Sequence, residues 1–127
     1  MKRNFIKIKI NNGHILYFLN GHIDYYNNHY RLHREDGPAV IRNYRINSST
    51  LSLEEYWIDG RLHRENGPAM LWSDGYERWA QNGVYHRLDG PALKYSNEEY
   101  DWFINGKRIP VKSQEEFERY KKLMVFQ

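Results

Sequence analysis

Hydrophobic and charged residues alternate along the N-terminal segment of the chain. Ile6, Ile8 and Ile10 are separated by single lysines, which is typical of a strand with one buried face. Further short apolar segments end at Asn-Gly, Asp-Gly or Gly-Pro, pairs that favour tight turns. The pattern therefore predicts a mainly β protein built from short strands and turns.

The first part of the chain divides into three predicted strands. They cover residues 5–10, 14–19 and 22–26. Turns at Asn12-Gly13 and Asn20-Gly21 would join them, because Asn and Gly tolerate the positive φ angles of two-residue hairpin loops. The sequence thus predicts two consecutive hairpins at the N-terminus.

One segment near the C-terminus has helical spacing instead. Ser113, with Glu116 three residues later, is a capping box. The apolar residues that follow are spaced three apart: Phe117, Tyr120 and Leu123. This pattern predicts an amphipathic helix over residues 114–124, and we expect it to cover the last strand, because an open sheet edge invites unwanted pairing.

A seven-residue motif, H-R-x-[DN]-G-P-A, occurs three times. The copies begin at His33, His63 and His86, so the second and third are 23 residues apart and the first two are 30 apart. The first unit therefore carries an insertion of seven residues, and the polar run 47–50 is the natural place for it. Three copies predict a repeated structural unit.

A second landmark keeps the same period. Aromatic-aliphatic runs begin at Tyr56, Trp79 and Trp102, each 23 residues after the last, with a fainter copy at Tyr17. Each run ends in a pair that favours a hairpin turn. The predicted hairpin tips are Asp59-Gly60, Asn82-Gly83 and Asn105-Gly106. A further turn is predicted at residues 73–75.

These landmarks predict the fold class and the organisation of the chain. We expect a mainly β protein, an elongated antiparallel meander sheet of hairpin repeats of about 23 residues with a C-terminal capping helix. The 127 residues form one domain. Its parts are the N-terminal strands (1–25), the repeats (26–109) and the helical cap (110–127).

Composition excludes several classes of protein. There is no cysteine, and so no disulfide framework, no thiolate metal site and no cysteine nucleophile. The longest apolar run, Ile15 to Leu19, is far shorter than the roughly 20 residues of a membrane-spanning helix, and no signal peptide is apparent. We expect a cytoplasmic protein without a cofactor.

The charge balance is basic but mixed. The net charge is +3, from 19 Lys and Arg against 16 Asp and Glu. A basic balance attracts nucleic acid or anionic lipid, but the two signs are interspersed here, which favours an ordinary solvated surface. Aromatic residues make up 16% of the chain and suit the pleated face of a sheet.

The repeats resemble those of the MORN family over residues 26–109. The segments from Gly60 to His63 and from Gly83 to His86 match the Gly-x-x-His of that family. Arg then replaces the family's next Gly, and the motif continues through Gly-Pro-Ala, a form similar to variant repeats of small phage, giant-virus and bacterial proteins. The resemblance implies stacked hairpins with a binding role. MORN repeats are tied to membrane association and protein scaffolding.

The motif histidines and arginines are predicted to be mainly structural: His33, Arg34, His63, Arg64, His86 and Arg87. Equivalent residues of successive two-strand units lie roughly 9–10 Å apart, whereas ligands of one zinc ion lie within about 2.0–2.3 Å of it. We therefore expect no shared metal or catalytic site. Each His and Arg should lie against a neighbouring aromatic ring and bond to loop carbonyls.

The fourth motif position also indicates a structural role rather than a catalytic or metal-binding one. It is Asp36, Asn66 and Asp89 in the three copies. A general base or metal-binding carboxylate would not tolerate Asn, whereas a turn residue would. We interpret this position as acting through local turn geometry rather than charge. A site within one unit, such as His86 with Asp89, stays open as a minor hypothesis of a small hydrolase or nuclease.

Two hypotheses on binding follow. The preferred one is a non-enzymatic module that recognises a protein partner; the phage-like resemblance implies a host enzyme or defence complex that the chain inhibits. The predicted contact residues are Trp57, Trp72, Arg78, Trp79 and Trp102, with the 44–54 insertion and the N-terminal strands. The alternative is nucleic-acid binding by the motif arginines and nearby tryptophans. An intramolecular Arg–aromatic stack would explain the same arginines, and a homodimer through a sheet edge is a further expectation.

Overall fold

The computed structural model describes residues 5–10, 13–24 and 29–124. These residues form a mainly β structure, one large antiparallel meander sheet with a C-terminal helix, which confirms the predicted fold class. The elements are β1 (Phe5–Ile10), β2 (His14–Asp24), β3 (His29–Leu32), β4 (Val40–Ile46), β5 (Ser49–Glu55), β6 (Trp57–Ile58), β7 (Arg61–Leu62), β8 (Met70–Trp72), β9 (Glu77–Arg78), β10 (Ala80–Gln81), β11 (Val84–Tyr85), β12 (Leu93–Lys94), β13 (Tyr100–Ile104), β14 (Lys107–Ile109) and α1 (Gln114–Met124).

The large sheet follows the order of the chain. Its strands are arranged β1-β2-β4-β5-β8-β9-β12-β13-β14, and β3 also pairs with β2. The strands β6 and β7 form a separate two-stranded hairpin, as do β10 and β11. The chain thus alternates between hairpins of the main sheet and short hairpins outside it.

The predicted hairpin tips are confirmed. Asp59, Asn82 and Asn105 have φ angles of 49°, 51° and 49°, and the glycine after each also has a positive φ. Each of these glycines donates its N–H to the preceding hairpin: Gly60 to Leu32 O (2.9 Å), Gly83 to Leu62 O (2.9 Å) and Gly106 to Tyr85 O (2.8 Å). Each tip is therefore bonded to the strand pair that precedes it along the chain.

The seven-residue insertion lengthens one hairpin of the main sheet. Val40 pairs with Glu55 across β4 and β5, whereas Met70 pairs with Arg78 across β8 and β9. The tip of the longer hairpin is at Asn47, with a φ of 57°. The predicted position of the insertion, in the polar run 47–50, is confirmed.

The predicted turn at Asn20-Gly21 is wrong. Strand β2 continues through both residues to Asp24, and its register with β3 shifts between Phe18 and Ile23. Glycine inside a strand often marks such an irregularity, so pairing with β3 overrides the local turn preference. Residues 11, 12 and 25–28 lie outside the described residues, as do parts of the turn predicted around Gly13 and of the strand predicted at 22–26.

The helix α1 begins and ends as predicted. The Glu116 N–H donates to Ser113 Oγ (3.1 Å), and the Glu116 carboxylate accepts from the Lys112 N–H (2.9 Å). Phe117 is fully buried against Trp102 and Ile109, so the helix covers the last strand, as expected, and also contacts the strand before it. The prediction that Leu123 belongs to the packed face is wrong: it is 68% exposed, because contact with the sheet ends one turn earlier.

Candidate binding groove along the motif loops

Each copy of the motif forms an irregular loop between two hairpins. We name them motif loop 1 (residues 33–39), motif loop 2 (63–69) and motif loop 3 (86–92). The alanine that ends each loop has no exposed surface. The backbone of this alanine continues the pairing of the next hairpin: Ala39 N–H donates to Glu55 O (2.8 Å) and Ala69 N–H to Arg78 O (2.7 Å).

The motif histidines bind the hairpin tips. The Nδ1 atoms of His33, His63 and His86 accept the N–H of Asp59 (2.8 Å), Asn82 (2.9 Å) and Asn105 (2.9 Å). The expectation that the histidines bond to loop carbonyls is wrong for His63 and His86, because a two-residue hairpin loop leaves its own N–H groups outside the ladder and in need of acceptors. With Nδ1 accepting, the ring proton is on Nε2.

The Nε2 atoms of two of these histidines face carboxylates. His33 lies 3.3 Å from Glu35 Oε1 and His63 lies 2.8 Å from Glu65 Oε1. The third copy has Leu88 at the equivalent position. The variable third residue of the motif therefore sets the charge beside each histidine.

The motif arginines stack on aromatic rings of the chain itself. The guanidinium carbon of Arg34 lies 4.1 Å from the centre of the Tyr17 ring. The same distance is 3.9 Å from Arg64 to Tyr56 and 3.7 Å from Arg87 to Trp79. The predicted Arg–aromatic stack is confirmed in all three loops.

The motif glycine makes room for the arginine. A Cβ on Gly37, Gly67 or Gly90 would lie 2.8 Å from the guanidinium carbon of the motif arginine. The same guanidinium groups donate from Nη1 to the carbonyl of the motif proline, at 3.1, 3.2 and 3.2 Å in loops 1, 2 and 3. Each arginine is thus clamped between a ring, a glycine and a carbonyl.

The fourth motif position acts through charge in two of the loops. Asp36 Oδ1 accepts from Arg34 Nε (2.9 Å), and Asp89 Oδ1 accepts from Arg87 Nε (2.8 Å). The hydrogen bond from the arginine holds the pKa of each aspartate below its usual value. The interpretation of this position as a purely local turn residue is therefore wrong for loops 1 and 3, because the guanidinium lies within reach of the carboxylate.

Motif loop 2 differs at this position. Asn66 replaces the aspartate, and no acid among the described residues forms an ion pair with Arg64. The Arg64 guanidinium keeps its contacts with Tyr56 and Pro68. Its Nε edge is left without the carboxylate that the other two loops supply.

His86 and Asp89 have different partners. His86 accepts from Asn105, and Asp89 accepts from Arg87. In a nucleophile-activating pair the acid would orient the histidine through its Nδ1. That nitrogen is occupied here by a backbone N–H.

The last aromatic ring of the repeated series, Trp102, packs against the helix α1. Trp102 follows Tyr56 and Trp79 with the period of 23, but its ring packs on Phe117 (6.3 Å between centroids) rather than on an arginine. Its Nε1 donates to Gln114 Oε1 (3.1 Å). The helix also contacts motif loop 3, where Lys121 Nζ donates to Leu88 O (2.6 Å).

Three adjoining depressions run along the motif loops in the part of the chain that the structure describes. Neighbouring depressions share Arg34, Glu35 and Asp36 or Glu65 and Asn66. Together they form what we name the motif groove, lined by Tyr17, His33, Arg34, Glu35, Asp36, Gly37, Tyr56, Ile58, His63, Arg64, Glu65, Asn66, Trp79, Gln81, His86, Arg87, Leu88 and Asp89.

The structure places the five predicted contact residues in different surroundings. Trp79 lines the motif groove. Trp57 donates to Glu55 (3.1 Å), and Trp72 stacks on Tyr44 of the long hairpin (5.9 Å between centroids). The last two are Arg78, which lies over the rings of Tyr76 and Tyr85, and Trp102, which is buried beneath α1.

Sequence reasoning did not single out the residues that vary within the groove. The third motif residue is Glu35, Glu65 or Leu88, and all three side chains line it. Ile58 and Gln81, which occupy equivalent positions in β6 and β10, line it as well. The signal was present, because these positions differ between units while the scaffold around them repeats.

Comparisons with known proteins give no relative. No protein-family model, no curated protein and no solved structure matches the chain. Of the residues that the structure describes, none belongs to a helix long and apolar enough to cross a membrane. Within the same residues, no three His, Asp or Glu side chains are grouped closely enough to hold a metal ion.

Proposed function

We propose that the chain is a non-enzymatic binding module that recognises a protein partner through the motif groove. The observation that carries the proposal is the contrast between the repeated walls of the groove and its variable lining. The His, Arg, Gly and Ala contacts recur in all three loops. The side chains that differ between loops face the groove.

The walls of the groove are preorganised. Each motif arginine is held by a ring and by a proline carbonyl. Long side chains that are already ordered lose less conformational entropy when a partner binds. A fixed array of guanidinium and aromatic groups is therefore suited to recognition, and Arg, Trp and Tyr are the residues that dominate interface hot spots.

The chemistry of the lining supports a protein rather than a nucleic acid as the partner. Glu35 and Glu65 face the groove with side chains that are 66% and 68% exposed. A phosphate backbone would meet these carboxylates, and two of the three arginines are already paired with aspartates. A protein surface offers both signs of charge and apolar groups, which matches Leu88 beside Trp79.

The resemblance of the repeats to those of phage proteins is the only basis for proposing what kind of protein the partner is and where the two meet. The phage-like form of the repeats supports a host enzyme or defence complex that the chain would inhibit in the cytoplasm. This step is an analogy between repeats. The capture experiment below tests it, because it identifies the partner directly.

The test is an affinity capture from host lysate treated with nuclease, with two matched variants. Leu88 lines the groove and Ile46 lies at the tip of the β4–β5 hairpin, and both are 55% exposed. We expect one protein to be retained after nuclease treatment, with Leu88→Ser reducing its capture about tenfold, as for an apolar hot-spot residue, and Ile46→Ser leaving it unchanged.

Two results would contradict the proposal. Capture that disappears with the nucleic acid would favour the alternative function, in which the motif arginines bind phosphates and binding falls steeply with salt. Equal capture by the Leu88→Ser and Ile46→Ser variants would remove the motif groove as the contact surface. Circular dichroism of both variants checks that they are folded.

A further inference from the structure

We propose that Arg64 is a carboxylate-binding site that receives an aspartate or glutamate side chain of the partner. This inference rests on the proposed function and specifies its chemistry. The site lies in motif loop 2, between the first and the last loop of the motif groove. The incoming acid would occupy the place that an aspartate of the chain itself occupies in loops 1 and 3.

The two flanking loops show the geometry that such a complex would have. Asp36 Oδ1 lies 2.9 Å from Arg34 Nε, and Asp89 Oδ1 lies 2.8 Å from Arg87 Nε. Both are charge-assisted hydrogen bonds of ordinary length. Three copies of the same clamp are therefore present, and two of them already hold a carboxylate.

The third copy has the same clamp without its acid. The Arg64 guanidinium lies 3.9 Å over Tyr56 and donates to Pro68 O (3.2 Å). Asn66 is neutral, and the described residues place no acid in an ion pair with Arg64. The guanidinium group is already held in place and its Nε atom faces the groove. It therefore loses little conformational entropy when a carboxylate binds.

The neighbouring acids have donors of their own. The carboxylate of Glu65 lies 2.8 Å from the His63 ring, and Asp36 is paired with Arg34 across the same depression. These two acids therefore leave the Nε atom of Arg64 available, and they keep the surroundings of the depression negatively charged. These negative charges would repel a doubly charged phosphate more strongly than a carboxylate, so the site favours a carboxylate.

The first test measures the site directly in the ¹⁵N-labelled full-length chain. The Nε–Hε signals of Arg34, Arg64 and Arg87 are followed by NMR as sodium acetate is added at constant ionic strength. We expect a saturable shift of the Arg64 signal and smaller, non-saturating shifts of the other two. The inference is overturned if the Arg64 signal does not shift, or if the three signals shift in parallel. It is also overturned if inorganic phosphate binds more tightly than acetate.

Two variants exchange the properties of the loops. Asn66→Asp should supply the missing acid and abolish the response of Arg64 to acetate, whereas Asp89→Asn should create a response at Arg87. Asn97→Asp is the charge control, because Asn97 lies outside the groove and its Oδ1 already accepts the Glu99 N–H (3.2 Å), a bond that aspartate can keep. An Arg64 response that survives in Asn66→Asp overturns the assignment.

The second test connects the site to the partner. We expect Asn66→Asp to reduce capture of the partner about tenfold, the effect of losing one charge-assisted hydrogen bond, and Asn97→Asp to leave it unchanged. Full capture by Asn66→Asp overturns the inference about Arg64. The proposed function then still stands if Leu88→Ser has lost capture, so the two failures can be told apart.

Discussion

Replacing Gly67 by alanine tests the interpretation that the motif glycine is needed because a Cβ atom would occupy the space of the arginine side chain. A Cβ at this position would lie 2.8 Å from the guanidinium carbon of Arg64, so the guanidinium group must shift from its position over the ring of Tyr56. The φ angle of Gly67 is outside the left-handed region, and alanine therefore adds no backbone strain. The expected loss of stability comes from Arg64 alone.

The magnitude follows from the contacts that Arg64 would lose. A cation–π contact near the surface contributes about 0.5–1 kcal/mol and a net hydrogen bond, here to Pro68 O, about 0.5–1.5 kcal/mol. Replacing glycine restricts the unfolded chain and returns about 0.4–1 kcal/mol. We expect Gly67→Ala to lower the free energy of unfolding by up to about 2 kcal/mol, or roughly 4 °C in Tm per kcal/mol.

A double-mutant cycle with Arg64→Ala distinguishes this mechanism from general disruption. Urea unfolding, followed by tryptophan fluorescence, gives the stability of each variant. In the Arg64→Ala background, Gly67→Ala should cost nothing or stabilise, because the clashing side chain is gone. Gly75→Ala is the control: no atom lies within 4 Å of its Cβ, but its φ of +98° strains alanine, so its cost should not depend on Arg64. Additive costs of Gly67→Ala and Arg64→Ala would refute the reasoning.

Three further predictions concern other parts of the chain. Glu98 has a φ of 65°, and Glu98→Gly should raise the free energy of unfolding by about 0.5–1 kcal/mol in urea unfolding, because glycine accepts this conformation without strain. Arginine lowers the pKa of Asp36 and Asp89 in the folded state, so their contribution to stability is present above the unfolded pKa of about 3.9 and is lost as pH falls through the folded pKa. The double variant Asp36→Asn/Asp89→Asn should therefore lose less stability than wild type between pH 4 and pH 2 in acid titrations of Tm. Phe117→Ala should cost about 3 kcal/mol and shift tryptophan emission to the red, since it uncovers Trp102.

Each of these predictions has an internal comparison. Gly75 takes a positive φ at the corresponding turn of the preceding hairpin, so an unchanged or lowered stability of Glu98→Gly would contradict the strain argument. An acid titration of the double aspartate variant that parallels wild type would contradict the role of the arginine pairs. Leu123→Ala changes an exposed residue of α1 and should alter stability by less than about 0.5 kcal/mol; a cost equal to that of Phe117→Ala would contradict the packing described for the helix.

The features that were predictable from the sequence are those that depend on nearby residues. The tip at Asn82-Gly83 requires two positive φ angles, which few residue pairs accept, so its residues identify it. The helix α1 begins at a cap whose donor and acceptor are both local. In both cases the determining contacts lie within a few positions along the chain.

The remaining features depend on contacts between distant segments. Asn20-Gly21 has the residues of a turn but continues a strand, because pairing of β2 with β3 decides its conformation. Leu123 fits the helical spacing but extends past the surface that Phe117 covers. The approach of Arg64 to Gly67 and the depth of the groove likewise depend on how the loops are brought together, which spacing alone does not define.

The bonds between successive hairpins give the chain a simple rule for growth. At each of the three tips, the glycine bonds to the strand pair that precedes it, and the residue before that glycine bonds to the histidine of the preceding motif loop. Both junctions are the same wherever they occur, and α1 ends the series by covering Trp102. An in-frame duplication of residues 79–101 would add one loop to the groove while every existing junction is preserved. Gene duplication could in this way lengthen the recognition surface without requiring a new fold to evolve.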